Sequence, residues 1–169
     1  LRPVTRRQLV VYSDASCEPR AEGLPKVKLC WLIFDGNARY GAVVDVPDRV
    51  LRSFGERQQY IAQGEALAPL LALHFHGKVL AGASVLFFID NLGVLSGLTV
   101  GSSKAADLGT VLHGATLRAA RLDTAIWWEH VDSHANPSDG GTRFSSYLPT
   151  FPPPHPPPPT PPPPFFSSL

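Results

Sequence analysis

Five short apolar runs, three before the first helical stretch and two after it, leave few folds open to this chain. Gln8-Leu-Val-Val-Tyr12 is a short, β-branched apolar run, which suits a central buried strand, and Asp14-Ala-Ser-Cys-Glu-Pro19 is expected to break it. Val27 to Phe34 reads as a second strand, joined through the hairpin signal Asp35-Gly-Asn37 to a third from Arg39 to Val46, which Pro47-Asp48 ends. A helix is expected from about Glu56 to about His74, with Ile61, Glu65, Ala68 and Ala72 on one face. Pro69 lies inside it and cannot donate to the Glu65 carbonyl, so a kink is expected there. Val85 to Ile89 reads as a fourth strand, apolar throughout and covered on both faces, followed by a short helix to about Leu98. Ser103 is placed to cap a helix from Lys104 to Leu122, and Thr124 to Val131 is the fifth strand. Three strands in a meander, then strands alternating with helices, imply an α/β fold. Its five-stranded mixed sheet comprises a three-strand antiparallel meander plus two parallel strands, flanked by helices.

Composition sets the limits of the folded part. From Pro149 to Pro164 the 169-residue chain is mostly proline, which cannot feed a helix or a sheet ladder and favours extended polyproline II. The expected organisation is therefore a linker over residues 1–7, a folded domain over 8–148 and a disordered proline-rich tail over 149–169. With no Met and a start at Leu1, the chain is expected to be a fragment of a longer one. The two cysteines, Cys17 and Cys30, do not suggest a disulfide framework, so a reducing, intracellular setting is expected. Nothing at the start reads as a signal peptide, and no apolar run has the length of a membrane span. Fifteen basic and 14 acidic residues leave a formal charge of +1, low for a nucleic-acid binder acting alone.

Four carboxylates fall where open sheets build sites. Asp14 is expected at the end of the first strand, Asp90 at the end of the fourth, Glu65 on the inward face of the first helix, and Asp139 at the start of the last segment. If the first and fourth strands are neighbours, these acids converge and repel one another. Hard divalent cations relieve that repulsion, and all-oxygen ligands suit magnesium or manganese. Two such ions, about 3.5–4 Å apart, would flank a scissile phosphate. Taken singly, each aspartate reads equally well as a solvated turn residue; Glu65 does not, because a carboxylate on an apolar helix face is costly unless paired.

These residues resemble ribonuclease H motifs. Val11-Tyr-Ser-Asp14-Ala-Ser-Cys17 is similar to the family's first-strand motif, Gln63-Gly-Glu65-Ala-Leu-Ala68 to its helix glutamate motif, and Phe88-Ile-Asp90-Asn91 to its fourth-strand motif. Trp127-Trp-Glu-His-Val-Asp-Ser-His134-Ala resembles the last strand with its loop histidine. Asn136-Pro-Ser-Asp139, followed by Arg143, resembles the ending seen in retroelement reverse transcriptases. The resemblance covers about Leu9 to Arg143 and implies an RNase H-like fold that cleaves the RNA strand of an RNA/DNA hybrid with two magnesium or manganese ions. It implies Asp14, Glu65, Asp90 and Asp139 as catalytic metal ligands, His134 as a catalytic loop histidine that assists proton transfer or product release, and Ser16, Cys17 and Asn91 as contacts to substrate backbone. The last three serve equally as turn residues.

The chain also departs from the family. A basic insertion that grips hybrids is absent apart from Lys104, Asp132 stands where a basic residue is common, and the last helix is nearly missing because of Gly140-Gly141. These features imply dependence on an upstream reverse transcriptase domain of the same polyprotein. The alternative they leave is a catalytically inactive RNase H-like scaffold in a degenerate element. Integrases and transposases place their glutamate last, unlike this chain. Of Trp127 and Trp128, strand alternation puts one in the core and one outside. His74 and His76 suggest favourable placement at a helix C-terminus more than a metal pair. Arg2, Arg6 and Arg7 form a basic start. Phe151-Pro-Pro-Pro resembles ligands of proline-recognising modules, although low-complexity sequence is the simpler reading.

Overall fold

The computed structural model describes residues 5–57 and 59–143. The proposed proline-rich tail lies outside them. Strands β1 (Gln8–Glu18), β2 (Lys26–Asp35) and β3 (Ala38–Asp45) form the meander. A short helix α1 (Asp48–Ser53) follows, then α2 (Ile61–Phe75), α3 (Gly77–Leu80) and β4 (Ser84–Ile89). Helices α4 (Leu92–Val100) and α5 (Ala106–Arg121) lead to β5 (Ala125–His130), a 3-10 turn at Ser133–Ala135 and α6 (Asp139–Arg143). Among the described residues, no helix is long and apolar enough to cross a membrane.

The sheet order is β3-β2-β1-β4-β5. β1 runs antiparallel to β2 and parallel to β4, and β4 runs parallel to β5. The expected mixed sheet is therefore present, and β1 is its centre. Leu9, Val11 and Ala15 alternate on one face of β1 and join Val27, Leu29, Trp31 and Ile33 of β2 in the core. Helix α2 packs on that face. Every residue of α2 from Gln63 to Leu73 is buried, because the helix lies between β1 and β2 on one side and α5 on the other.

Several boundaries differ from expectation for physical reasons. Asp14 does not end β1. The ladder to β2 continues through Asp14↔Cys30 to Glu18↔Lys26, so the segment read as a break keeps its backbone groups paired. Helix α2 begins at Ile61 rather than Glu56. Gly55 (φ +70°) turns the chain first, and its carbonyl accepts a hydrogen bond from the Tyr60 hydroxyl at 3.1 Å. The helix runs on through Pro69 to Phe75. Helix α1, which Pro47-Asp48 introduces, was not expected at all. Strand β4 is not covered on both faces. Val85, Phe87 and Ile89 are buried, whereas Leu86 and Phe88 are half-buried. Ser103 accepts from the Ala105 N–H within the loop, and α5 starts at Ala106.

The tryptophans divide as expected. Trp128 packs on Phe87 with ring centroids 4.9 Å apart, and Trp127 is 69% exposed on the edge strand. The histidine reading needs correction. His76 sits against Trp31 and Tyr40, and burial lowers its pKa to about 4. It is neutral at physiological pH and packs as an aromatic ring rather than as a cation at the helix end. At the start of the chain, Arg6 pairs with Asp123 and Arg7 with Asp35, which ties residues placed in a linker to the domain.

Candidate metal centre

The parallel pairing of β1 with β4 places Tyr12 beside Phe88. Two residues further along each chain, Asp14 and Asp90 emerge side by side. Helix α2 brings the third acid. Its Gly64 lies so close to β1 and β2 that a Cβ there would come within 2.9 Å of Ala15 and 3.0 Å of Val27. That contact sets Glu65 against the sheet. One carboxylate oxygen from each of Asp14, Glu65 and Asp90 lies within 4.8 Å of the others. Asp14 and Glu65 are buried and Asp90 is half-buried.

Electrostatics follow from that proximity. Burial raises the Asp14 pKa to about 6, against the opposing hydrogen bond from Thr142, with the charges of Asp90 and Asp139 adding to the rise. Glu65 is pushed up to about 10, first by burial and then by the charges of Asp90 and Asp14. Glu65 Oε2 and Asp90 Oδ1 are buried with no hydrogen-bond partner among the described residues. Orphaned carboxylate oxygens are costly in a protein interior. Together with an all-oxygen donor set they fit a hard divalent cation such as magnesium or manganese.

The remaining expected residues are placed less uniformly. Asp139 opens α6 but stands outside the three-acid group, with its Oδ1 accepting from Arg143 Nε at 2.6 Å. Its charge still reaches Asp14. His134 is exposed on the 3-10 turn, next to Ser133, whose hydroxyl donates to Asp90 Oδ2 at 2.9 Å. The Ser16 hydroxyl donates to the Thr142 carbonyl at 3.2 Å. Cys17 is a half-buried free thiol. The Asn91 side chain caps α4 by accepting from the Gly93 and Val94 N–H groups.

Three contributors were missed by reading the sequence. The buried Thr142 donates its hydroxyl to Asp14 Oδ2, and Ser133 orients Asp90. Asn136, quoted above only as part of a motif, is buried and donates to the Ser13 carbonyl at 2.9 Å, while its oxygen accepts from the Ser138 N–H at 3.1 Å. Only the Asn-Pro-Ser turn chemistry hinted at that role. Asn136→Ala leaves a buried carbonyl and a buried N–H unpaired, so it is expected to cost about 1–3 kcal/mol and to release α6 from β1. Thermal melting measures the cost, and an unchanged melting temperature would contradict it.

The chain matches no family model and no curated protein sequence. Solved structures do match its fold. RNase H1 from the halophilic archaeon Halobacterium salinarum NRC-1 aligns with a TM-score of 0.56 at 17% identity, over 78% of this chain and 90% of that one. The Prototype Foamy Virus protease-reverse transcriptase aligns with a TM-score of 0.60 at 13% identity, over 88% of this chain, which spans 22% of the viral one. LC11-RNase H1 in complex with an RNA/DNA hybrid aligns with a TM-score of 0.50 at 12% identity, over 76% of this chain and 88% of that one. The five-stranded mixed sheet with its helices therefore has the ribonuclease H-like fold.

Proposed function

We propose that this chain is a metal-dependent endonuclease that hydrolyses the RNA strand of RNA/DNA hybrids as part of a retroelement reverse transcriptase polyprotein. The observation that carries the reading is the buried group of Asp14, Glu65 and Asp90, with two of its oxygens unpartnered. The likeness to the hybrid-bound LC11-RNase H1 supports the substrate, and the likeness to one part of a viral protease-reverse transcriptase supports the polyprotein setting. Such an enzyme works inside the cell, in cytoplasm or nucleus.

Asp14, Glu65 and Asp90 would hold magnesium or manganese, with Asp139 completing a two-ion site from its rim. The ions, when bound, supply an activated water and a counter-charge for the leaving oxygen. The protein's own groups do the positioning. Thr142 and Ser133 fix the carboxylates of Asp14 and Asp90. His134, exposed beside Ser133, can reach solvent and carry a proton away. Ser16, Cys17 and Asn91 would contact the substrate backbone. With a net charge of +1, the chain should bind hybrid weakly without its polymerase neighbour.

Cleavage of a labelled RNA/DNA hybrid in magnesium or manganese tests the proposal, with Asp90→Asn as the control. The expected result is metal-dependent cutting of the RNA strand alone, reduced at least a hundredfold in the variant, as loss of a charge-stabilising group would give (about 10²–10³). One observation favours a second reading, that of an inactive scaffold: Arg143 already neutralises Asp139 in an ion pair. A folded wild type that neither cuts nor binds manganese would establish that reading instead.

A further inference from the structure

The metal chemistry proposed above leaves one cation at the site without a task. Arg143 closes α6 with its side chain 63% exposed, and only its Nε is engaged, by Asp139. Among the described residues, its two terminal amino groups have no hydrogen-bond partner. Asp139 and Arg143 line an open pocket of about 310 Å³ with Ser16, Cys17, Glu18 and Ile61, and Thr142, which also lines it, donates its hydroxyl to Asp14 of the carboxylate group. No other Lys or Arg lines it. Arg6, Arg7, Arg20, Lys26 and Arg57 are each paired with acids outside it.

A polyanion approaching three clustered carboxylates is repelled unless a fixed positive charge offsets them. A guanidinium whose Nε is held by a carboxylate keeps its two amino groups in a fixed plane, the geometry that accepts phosphate oxygens in pairs. We infer that Arg143 is a phosphate-binding residue of this site, taking a backbone phosphate of the nucleic-acid strand in the pocket beside the carboxylate group. Asp139 is its positioning partner. The inference rests on the nuclease reading for the identity of the substrate but not for the binding event.

The test is binding of a fluorescent RNA/DNA hybrid to the whole chain in EDTA, measured by anisotropy across a salt series. Arg143→Gln should weaken binding about fivefold or more at low salt and reduce the slope of log K against log salt by about 0.9, the loss of one phosphate contact. Arg143→Lys should restore the slope while recovering only part of the affinity. Asp139→Asn, which breaks the ion pair but keeps the guanidinium, should retain the wild-type slope. If Arg143 merely caps Asp139, affinity and slope stay unchanged in Arg143→Gln, and the inference is overturned while metal-dependent cleavage by wild type still stands. Wild type that binds through Arg143 but never cuts supports the inference and sinks the nuclease reading. Wild type that does not bind hybrid even at the lowest salt overturns both.

Discussion

Glu65→Gln will melt at a higher temperature than wild type in metal-free buffer at pH 7, and the order will reverse in excess manganese. The Glu65 carboxyl rises from 4.5 to about 10 on folding, chiefly through burial and then through Asp90 and Asp14. A carboxyl whose folded pKa lies above its unfolded one destabilises the fold as pH climbs from the lower value to the upper. At pH 7 the unfolded chain ionises this group and the native one does not, a cost of about 3 kcal/mol. Glutamine fills the same space without that cost, so a rise of roughly 10 °C is expected for a domain of this size. The two proteins should converge as pH falls below 4.5, where both states hold the proton. Manganese is expected to bind only the intact site and to add about 4 kcal/mol to wild type at a thousandfold excess over its Kd, enough to outweigh that cost. A variant less stable than wild type in EDTA at pH 7 would show that the buried carboxyl is not under electrostatic stress.

Gly64→Val is expected to cost at least about 3 kcal/mol and to abolish manganese binding, although Gly64 carries no ligand atom. Even one added carbon meets Ala15 at 2.9 Å and Val27 at 3.0 Å, both in the packed face between α2 and the central strands. Valine adds two methyl groups to that contact. Helix α2 must move away from β1, and Glu65, the next residue, moves with it. Calorimetry reads the manganese affinity and a denaturant melt reads the stability. Full metal affinity in a folded Gly64→Val protein would show that Glu65 does not depend on this approach.

Strand content was legible because each strand contains a short run rich in apolar or β-branched residues. Asp14, Glu65 and Asp90 were legible for a related reason. Asp14 and Asp90 follow the apolar runs of β1 and β4 and Glu65 lies on the inward face of α2, so locating the elements located the acids. What local pattern could not convey was pairing. Asp14-Ala-Ser-Cys-Glu18 is polar enough to read as a turn and is a strand only because Lys26–Cys30 satisfies its backbone. The same limit hid Thr142 and Ser133, whose hydroxyls matter through partners more than 40 residues away. Asp139 was expected among the ligands from its spacing. Its ion pair with Arg143, one helical turn on, is a local competitor that spacing alone does not rank. The weakness read into Gly140-Gly141 has another side, since a Cβ at Gly141 would overlap the Cys30 sulfur at 2.4 Å. The glycine lets α6 lie flat on the sheet.

The central place of β1 also sets a timetable for assembly. Its antiparallel neighbour follows directly in the chain, but its parallel neighbour β4 is made only after α2 and α3. A chain emerging from the ribosome can zip the meander while Asp14 has no acidic neighbour. Asp14 meets Glu65 when α2 docks on the meander, and Asp90 completes the group only when β4 slots into the open edge of β1, a step of high sequence separation and therefore slow. The biosynthetic order thus separates the building of the hydrophobic sheet from the gathering of its negative charge. A divalent cation can act only on the second of these events.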